Sequence, residues 1–182
     1  MRAGALVLIF GLFTDAYGAS LYNLIKALNT TQTIWLYKQN YEDTPEAPNR
    51  TCVRWHRRDI TKSLYTFDND YKQAAVYHTD YYTNATLSGG RHSAEMSITY
   101  IREGQGSTNV SYKLKMWDPK YECFILTRNS ENGGDAGCEL HFWHEQLLKQ
   151  LKGGKGKTSC DRKYKEFCKG QERKVFSQHD CM

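Results

Sequence analysis

The chain has 182 residues, 40% of them hydrophobic, and a formal net charge of +5. This length fits one domain, and this hydrophobic fraction is that of a folded protein, which excludes a largely disordered chain. The lysines concentrate between Lys149 and Lys174, but no aromatic interleaving or binding motif accompanies them. We therefore expect a solvated basic face there and no nucleic-acid partner.

The first residues predict a cleavable signal peptide. A positively charged start is followed by an apolar run over residues 3–13 that is too short to span a bilayer. Small residues at Ala16 and Gly18 suit the peptidase that removes such segments. We expect residues 1–18 to be removed and residues 19–182 to form one secreted domain with no membrane partner, since no later stretch resembles a membrane span.

Beyond this segment the sequence is a series of short runs in which aromatic and β-branched residues alternate with polar ones. Clusters of Asn, Gly, Asp and Pro separate the runs, which predicts an all-β fold. The predicted strands are residues 33–41, 50–58, 63–71, 74–82, 93–102, 110–117, 122–128 and 137–143. The clearest alternation runs from Val110 to Met116, whose apolar residues are predicted to share one face. Eight strands are the smallest number that closes a barrel around one ligand.

Two helices are predicted to frame the strands. The first has an apolar stripe formed by Leu21, Leu24, Ile25 and Leu28. The second follows the last strand and faces the barrel through Cys160, Tyr164, Phe167 and Cys168. Thr158 or Ser159 is available as its N-terminal cap. A further short helix is expected over residues 144–152.

Cysteine usage indicates an oxidising compartment. Six cysteines follow the signal peptide, and they are Cys52, Cys123, Cys138, Cys160, Cys168 and Cys181. In a secreted chain this number predicts three disulfides, although the spacing alone does not choose among the pairings.

Four Asn-X-Ser/Thr sequences are candidate glycosylation sites. Their acceptors are Asn29, Asn49, Asn84 and Asn109. A secretory route would supply the enzymes that modify them. Because attached glycans need exposed positions, we expect these asparagines on the surface, mostly in loops.

The sequence contains no recognisable catalytic or metal-binding pattern. Residues 156–158 read Gly-Lys-Thr, but Leu151 stands where a phosphate-binding loop needs glycine. The histidines show no paired metal-ligand spacing. There is no Gly-X-Ser-X-Gly elbow, and paired cysteines leave no thiol nucleophile. We therefore expect a binding protein that is not an enzyme and that uses no cofactor and no metal.

Several motifs, in this order, carry a resemblance to a known family. They are Arg50-Thr51-Cys52-Val53, residues 122–126 around Cys123, residues 137–143 around Cys138, the Tyr-containing segment between Cys160 and Cys168, and a last Cys181. Together they resemble the tick salivary histamine-binding lipocalin family over nearly the whole mature chain. The resemblance implies an eight-stranded antiparallel lipocalin barrel with a short N-terminal helix and a C-terminal helix. It also implies the disulfides Cys52 to Cys181, Cys123 to Cys160 and Cys138 to Cys168.

The implied pairing indicates which side chains face the barrel cavity. Cys123 and Cys138 must point outward to reach the C-terminal helix, so strand alternation turns their neighbours inward. These neighbours are Phe124, Leu126, Glu139 and His141. The expected inward, ligand-binding set adds Trp35 or its neighbours Ile34 and Leu36, together with Tyr41, Tyr77, Tyr100, Tyr112 and Leu114.

The chain departs from the amine-binding pattern of that family at two positions. The pattern places an acidic residue directly after the cysteine corresponding to Cys123, where this chain has Phe124. It places a Glu-Leu-Trp run at Glu139, which is kept here, but the Trp is replaced by His141. A buried protonated amine needs a carboxylate such as Glu139, because an unpaired buried charge costs on the order of several kcal/mol. If Glu139 pairs with His141, the cavity is neutral and suits a fatty acid or eicosanoid. A third interpretation places both side chains at the barrel mouth.

Three functions correspond to these alternatives. The leading hypothesis is a monomeric salivary protein, secreted to the extracellular space, that sequesters a biogenic amine such as histamine or serotonin and suppresses host inflammatory defence. The second hypothesis is the same barrel holding a lipid mediator, a leukotriene or fatty acid. The third is inhibition of a host immune protein, such as a complement component, through the loops.

Overall fold

The structure is a computed structural model that describes residues 19–42, 50–102, 106–130, 134–153 and 158–182. The predicted signal peptide, residues 1–18, and the predicted glycosylation site Asn49 lie outside the described residues. None of the described helices is both long enough and apolar enough to cross a membrane.

The described part of the chain is built mainly from strands. In chain order its elements are α1 (Leu21–Leu28), β1 (Ile34–Gln39), β2 (Thr51–Ile60), β3 (Leu64–Gln73), β4 (Val76–Gly89), β5 (Ala94–Arg102), β6 (Gly106–Asp118), β7 (Cys123–Asn129), β8 (Asp135–Trp143), α2 (His144–Lys152), α3 (Ser159–Phe167), β9 (Arg173–Lys174) and α4 (Gln178–Cys181). The short helix expected after the last long strand is α2.

The first eight strands close into an antiparallel barrel. Strands β2 to β8 pair in chain order, and β1 pairs with β8 on one side and β2 on the other. The two-residue strand β9 pairs with the end of β1 outside this circuit. The predicted eight-stranded antiparallel barrel is confirmed.

Strand β4 is longer than its sequence pattern predicted. The predicted run ended at Tyr82, whereas the strand continues to Gly89. Tyr82 has a φ of 51° and lies where the pairing of β3 with β4 shifts between Phe67 and Asn69. A bulge interrupts the alternation of side chains, so the pattern ended there although the strand did not.

A second bulge corrects the predicted face of Met116. The pairing of β6 with β7 shifts between Leu114 and Met116. Leu114 and Trp117 therefore belong to the cluster inside the barrel, whereas Met116 belongs to the cluster outside it. One extra residue reverses the face of every side chain that follows it.

Apolar side chains form two layers on either side of the barrel wall. The inner cluster includes Trp55 and Phe124, and the outer cluster includes Ile125 and Tyr164 beneath the helices. Strand β7 contributes to both layers, which explains why residues 123–127 are buried at every position.

Helix α1 packs against one end of the barrel interior and confirms the predicted N-terminal helix. The Ser20 hydroxyl caps it by accepting a backbone N–H of the first turn. Leu24, Ala27 and Leu28 are fully buried in the inner cluster. The indole of Trp143 donates to the Ala27 carbonyl at 2.9 Å, which fixes the helix to the end of β8.

Helix α3 confirms the predicted C-terminal helix with one difference. Thr158 caps it, and Asp161 completes a reciprocal capping box. Tyr164 is buried against the barrel, but Phe167 is 41% exposed. Phe167 is the last residue of the helix, and the ammonium group of Lys163 lies 5.7 Å from the centre of its ring. The predicted inward orientation of Phe167 was therefore wrong.

The structure contains the three disulfides that the resemblance implied. They join Cys52 to Cys181, Cys123 to Cys160 and Cys138 to Cys168. Two of them attach α3 and the residue after it to β7 and β8, and the third attaches the C-terminal helix α4 to β2. The helices therefore cover the outer faces of these strands.

Candidate ligand-binding site

Glu139 on β8 is the centre of the candidate site. Its side chain lies inside the barrel and the residue is only 3% exposed. The hydroxyls of Tyr41 and Tyr112 both donate to Oε1, the latter at 3.0 Å. The Nε2 atom of His141 lies 2.8 Å from Oε2. Three donors therefore compensate the buried carboxylate for its lost hydration.

These contacts keep Glu139 charged. Burial by itself raises the pKa of a carboxyl group, but the hydrogen bonds from His141, Tyr41 and Tyr112 and the nearby imidazole outweigh burial and lower the pKa of Glu139. Burial, and next the Glu139 charge, raise the pKa of Tyr112 well above its ordinary value. Tyr112 therefore keeps its proton and remains a donor to an ionised carboxylate.

His141 is the second polar group of the site. Its ring stacks on Phe124, with centroids 4.8 Å apart and planes 6° apart, and lies 4.6 Å from the ring of Trp55. A neutral imidazole that donates from Nε2 to Glu139 presents Nδ1 as an acceptor. This Nδ1 atom is buried and has no hydrogen-bond partner among the described residues. An N–H or O–H group of a ligand would provide the missing partner.

Strand geometry brings these side chains together. Glu139 and His141 are two residues apart on β8 and therefore share one face. His141 pairs directly with Phe124 on β7. Cys123 and Cys138 are in the cluster outside the barrel, so Phe124 and Glu139 lie inside, as strand alternation predicts.

Tyr41 reaches Glu139 because position 137 is glycine. A Cβ atom at Gly137 would lie 2.3 Å from Cδ1 of Tyr41, so any other residue would displace the ring. The guanidinium of Arg128 lies 5.4 Å from the centre of the same ring. Tyr41 also lines an open surface pocket of about 270 Å³, together with Asn40, Glu42, Gln171, Glu172 and Arg173. Tyr41 therefore stands between the surface and the buried carboxylate.

Most of the side chains expected to face inward do so. Tyr100 is 7% exposed and lies in the inner cluster, as do Ile34, Leu114 and Leu126. Leu36 is also buried, in a small cluster with Val53, Tyr71 and Val175. The exposures of Glu139 and His141, 3% and 1%, are too low for the interpretation that places them at a solvated barrel mouth.

Trp35 and Tyr77 are corrections to the predicted site. Trp35 lies outside the barrel, where its ring centre is 5.0 Å from that of Phe176 and its indole donates to His144. Its neighbour Ile34 takes the inward position, because adjacent residues of a strand face opposite sides. Tyr77 is 50% exposed, and its hydroxyl donates to the carbonyl of Asp180. It faces outward from β4 onto the C-terminal tail.

Trp55 lies in the site but was not among the residues predicted to line it. Its ring lies over His141, and its indole donates to Oδ1 of Asn69 at 3.1 Å. Alternation counted from Cys52 does not assign the face of Trp55, because Cys52 has a φ of 53° and the pairing of β2 with β3 shifts between Thr51 and Arg54. Among the described residues, no three His, Cys, Asp or Glu side chains are grouped so that they could hold a metal ion.

Comparison with known proteins supports the same fold. A family described as tick histamine binding protein matches residues 14–182. No curated protein matches the chain. A solved structure of Japanin from Rhipicephalus appendiculatus, bound to cholesterol, is similar to this chain with a TM-score of 0.55. The two sequences are 15% identical, and the match covers 84% of this chain and 97% of Japanin. At that identity the likeness concerns the fold, which is the lipocalin barrel.

Proposed function

Because this chain belongs to the tick histamine-binding protein family, we propose that it sequesters a biogenic amine such as histamine or serotonin inside its barrel. Proteins of this family and fold carry ligands and are not enzymes. The proposed setting is tick saliva, where removal of a free amine would suppress host inflammatory defence. The three disulfides are compatible with secretion into an oxidising environment.

The observation that carries this proposal is a buried carboxylate, held by three hydrogen-bond donors, among aromatic rings in the barrel interior. A cation that leaves water for such an interior loses on the order of several kcal/mol of hydration free energy unless a counter-charge is present. Glu139 supplies the counter-charge, since its pKa is lowered by His141 and two tyrosines despite burial. The rings of Trp55 and Phe124, which flank His141, would add about 0.5–2 kcal/mol for each face that the cation contacts.

Acceptor positions remain for the N–H groups of such a ligand. Oε1 of Glu139 already accepts two hydrogen bonds, from Tyr41 and Tyr112, whereas from the described residues Oε2 accepts only the one from His141. A carboxylate oxygen can accept two. When His141 is neutral, its Nδ1 atom is a further buried acceptor without a described partner.

One observation favours a lipid mediator as the second candidate ligand. Phe124 occupies the position at which the family's amine-binding pattern has an acidic residue, and its ring stacks on His141. If His141 is protonated, it neutralises Glu139 at 2.8 Å, and the interior then carries no net charge at this point. A neutral aromatic wall suits a fatty acid or a leukotriene.

Calorimetric titration of the secreted protein with histamine, serotonin and a leukotriene tests the proposal. Native mass spectrometry after glycan trimming is performed in parallel, because a lipid that copurifies appears as added mass. We expect saturable heat with at least one amine. Binding of the leukotriene alone would support the lipid mediator as the ligand. If none of the three compounds binds, the amine proposal is wrong, and inhibition of a host protein through the loops becomes the leading hypothesis.

A further inference from the structure

The two predicted glycosylation sites Asn84 and Asn109 lie in one row across the outer surface of the barrel. In the register of the sheet, Asn84 on β4 pairs with Thr99 on β5, and Thr99 pairs with Asn109 on β6. The residue two positions after each acceptor lies in a second row, in which Ser97 pairs with both Thr86 and Ser111. The acceptors were predicted to lie mostly in loops, but Asn84 and Asn109 are both strand residues.

Alternation along the strands keeps both acceptors on the outside. Ala85 and Ile98 are fully buried in the inner cluster, and Val110 is 9% exposed there. Asn84 and Asn109 are adjacent to buried residues and therefore point to the opposite side, where both are exposed. Neither side chain can turn inward without a register shift that would expose the core.

Hydrogen bonds hold the two amide groups in an orientation that is compatible with an attached sugar. Thr66 donates to Oδ1 of Asn84 at 2.9 Å, and Thr99 donates to Oδ1 of Asn109 at 2.8 Å. In each case the oxygen is turned toward a neighbouring strand. The nitrogen Nδ2, to which an N-linked sugar is joined, is left without a described hydrogen-bond partner and faces solvent.

The surroundings of the two acceptors are uncharged and rich in hydroxyl groups. The exposed or half-exposed positions next to them on this face are Thr66, Thr86, Ser97, Thr99 and Ser111. The hydroxyls of Ser97 and Ser111 are 2.9 Å apart. The nearest ion pair on the face, Lys113 with Glu95 at 3.9 Å, lies at its edge. Such a surface offers hydrogen bonds to the first sugars of a glycan.

We propose that Asn84 and Asn109 both carry N-linked glycans, which stand side by side and cover the outer face of β4, β5 and β6. Two strand spacings separate the acceptors, which corresponds to roughly 10 Å. In the transfer reaction Nδ2 forms a bond to C1 of an oligosaccharide carried on a lipid diphosphate. The bond from C1 to the phosphate oxygen breaks with its electron pair, and one amide proton is released. A protein partner of this chain would then have to use another face.

The first experiment identifies the modified asparagines in the full chain secreted from insect cells. Peptide N-glycosidase in ¹⁸O water converts a glycosylated Asn to ¹⁸O-labelled Asp, which peptide mass spectrometry locates. We expect label at both 84 and 109, and loss of one glycan mass in each of N84Q and N109Q. The control S97A removes a hydroxyl from the same face and should retain both glycans. Label at only one position, or at neither, would overturn the proposal.

A second measurement tests whether the glycans cover the face. Lys113 and Lys163 have side chains of similar exposure, 42% and 41%, but Lys163 lies on α3, away from this face. Amine acetylation of Lys113 should increase at least twofold after glycan removal, whereas that of Lys163 should not change. Equal labelling of Lys113 before and after removal would contradict the coverage. If N84Q is not secreted, T86A removes the same acceptor sequence and leaves the asparagine in place.

Discussion

The Nε2 atom of His141 lies 2.8 Å from Oε2 of Glu139, and both side chains are buried inside the barrel. Their separation by two residues on β8 places them on the same face, and Phe124 on β7 stacks on the imidazole. The carboxylate can therefore serve either as counter-charge to a cationic ligand or as partner of its own histidine. The charge on this couple decides which class of ligand the barrel would accept.

Glu139→Gln separates these two roles. The substitution keeps the shape of the side chain and removes its charge, so amine affinity should fall by about 2–5 kcal/mol because a buried cation would lose its partner. Calorimetry measures the change. The control Glu95→Gln alters a carboxylate on the outer face whose side chain is 46% exposed, and it should leave affinity unchanged. A lipid ligand would bind equally well or better after Glu139→Gln.

Phe124→Asp restores the acidic position of the family pattern. It should strengthen amine binding and weaken lipid binding, because it places a second carboxylate beside His141. The loss of a fully buried ring should also destabilise the fold by about 3–5 kcal/mol, a cost that denaturant titration measures. The control Phe124→Asn introduces a side chain of the same size as Asp but without its charge. If both variants change amine affinity equally, the effect arises from lost packing and not from the carboxylate.

Stability should decrease in acid through Glu139 and Asp68. Although burial alone would raise the pKa of Asp68, hydrogen bonds from Arg58 and the Tyr82 N–H lower it, and the pKa of Glu139 is lowered as described above. The unfolded chain therefore binds more protons than the folded chain once the pH falls below about 4.5. The two ionised carboxylates make their full contribution to the free energy of unfolding above that pH. This contribution is lost as the pH falls through their folded-state pKa values.

Urea midpoints measured between pH 6 and pH 2 test this dependence. Asp68→Asn should reduce the decrease in midpoint toward low pH, because it removes one of the two linked protonations. Asp59→Asn alters an exposed carboxylate on β2 and serves as the control. A midpoint that does not change with pH, or that rises in acid, would show that these carboxylates are not stabilised by folding.

The disulfide between Cys52 and Cys181 should be the strongest of the three constraints. It joins residues 129 positions apart, whereas Cys138 and Cys168 are 30 apart. In the chain-entropy model the longer loop contributes on the order of 4–5 kcal/mol, about 1 kcal/mol more than the shorter one. Replacing each pair by serines and comparing unfolding free energies measures this difference. A larger loss from the shorter loop would contradict the entropic account.

Replacing Tyr82 by glycine should give a more stable protein than replacing it by alanine. Its φ of 51° costs a side-chain-bearing residue about 1–2 kcal/mol, while its ring is 66% exposed and adds little to the core. Both substitutions remove the ring and its contact with Arg58, but only glycine relieves the backbone. Tyr82→Gly should therefore exceed Tyr82→Ala in unfolding free energy by about 0.5–1 kcal/mol, measured in urea. Equal stability of the two would show that the bulge is not strained.

Much of the fold could be predicted from local patterns. Alternating runs predicted the positions of the eight barrel strands, and apolar stripes predicted α1 and α3. The prediction was wrong for Met116 and stopped early in β4, and both positions lie at bulges. In a bulge, two residues of one strand lie opposite one residue of the neighbouring strand. Its position therefore depends on how the two strands pair and cannot be read from either strand alone.

The sequence by itself predicted that the chain forms a β barrel and that Phe124, Glu139 and His141 share its interior, because strand alternation relates each of them to a cysteine whose outward direction the family resemblance implied. Tertiary structure alone decided that Tyr41 and Tyr112 donate to the same oxygen of Glu139, that Trp55 lies over His141, and that Trp35 and Tyr77 are outside. Alternation assigns a face to a residue within its own strand. Contacts between distant strands depend on barrel closure, register and the glycine at position 137, and these are properties of the whole sheet.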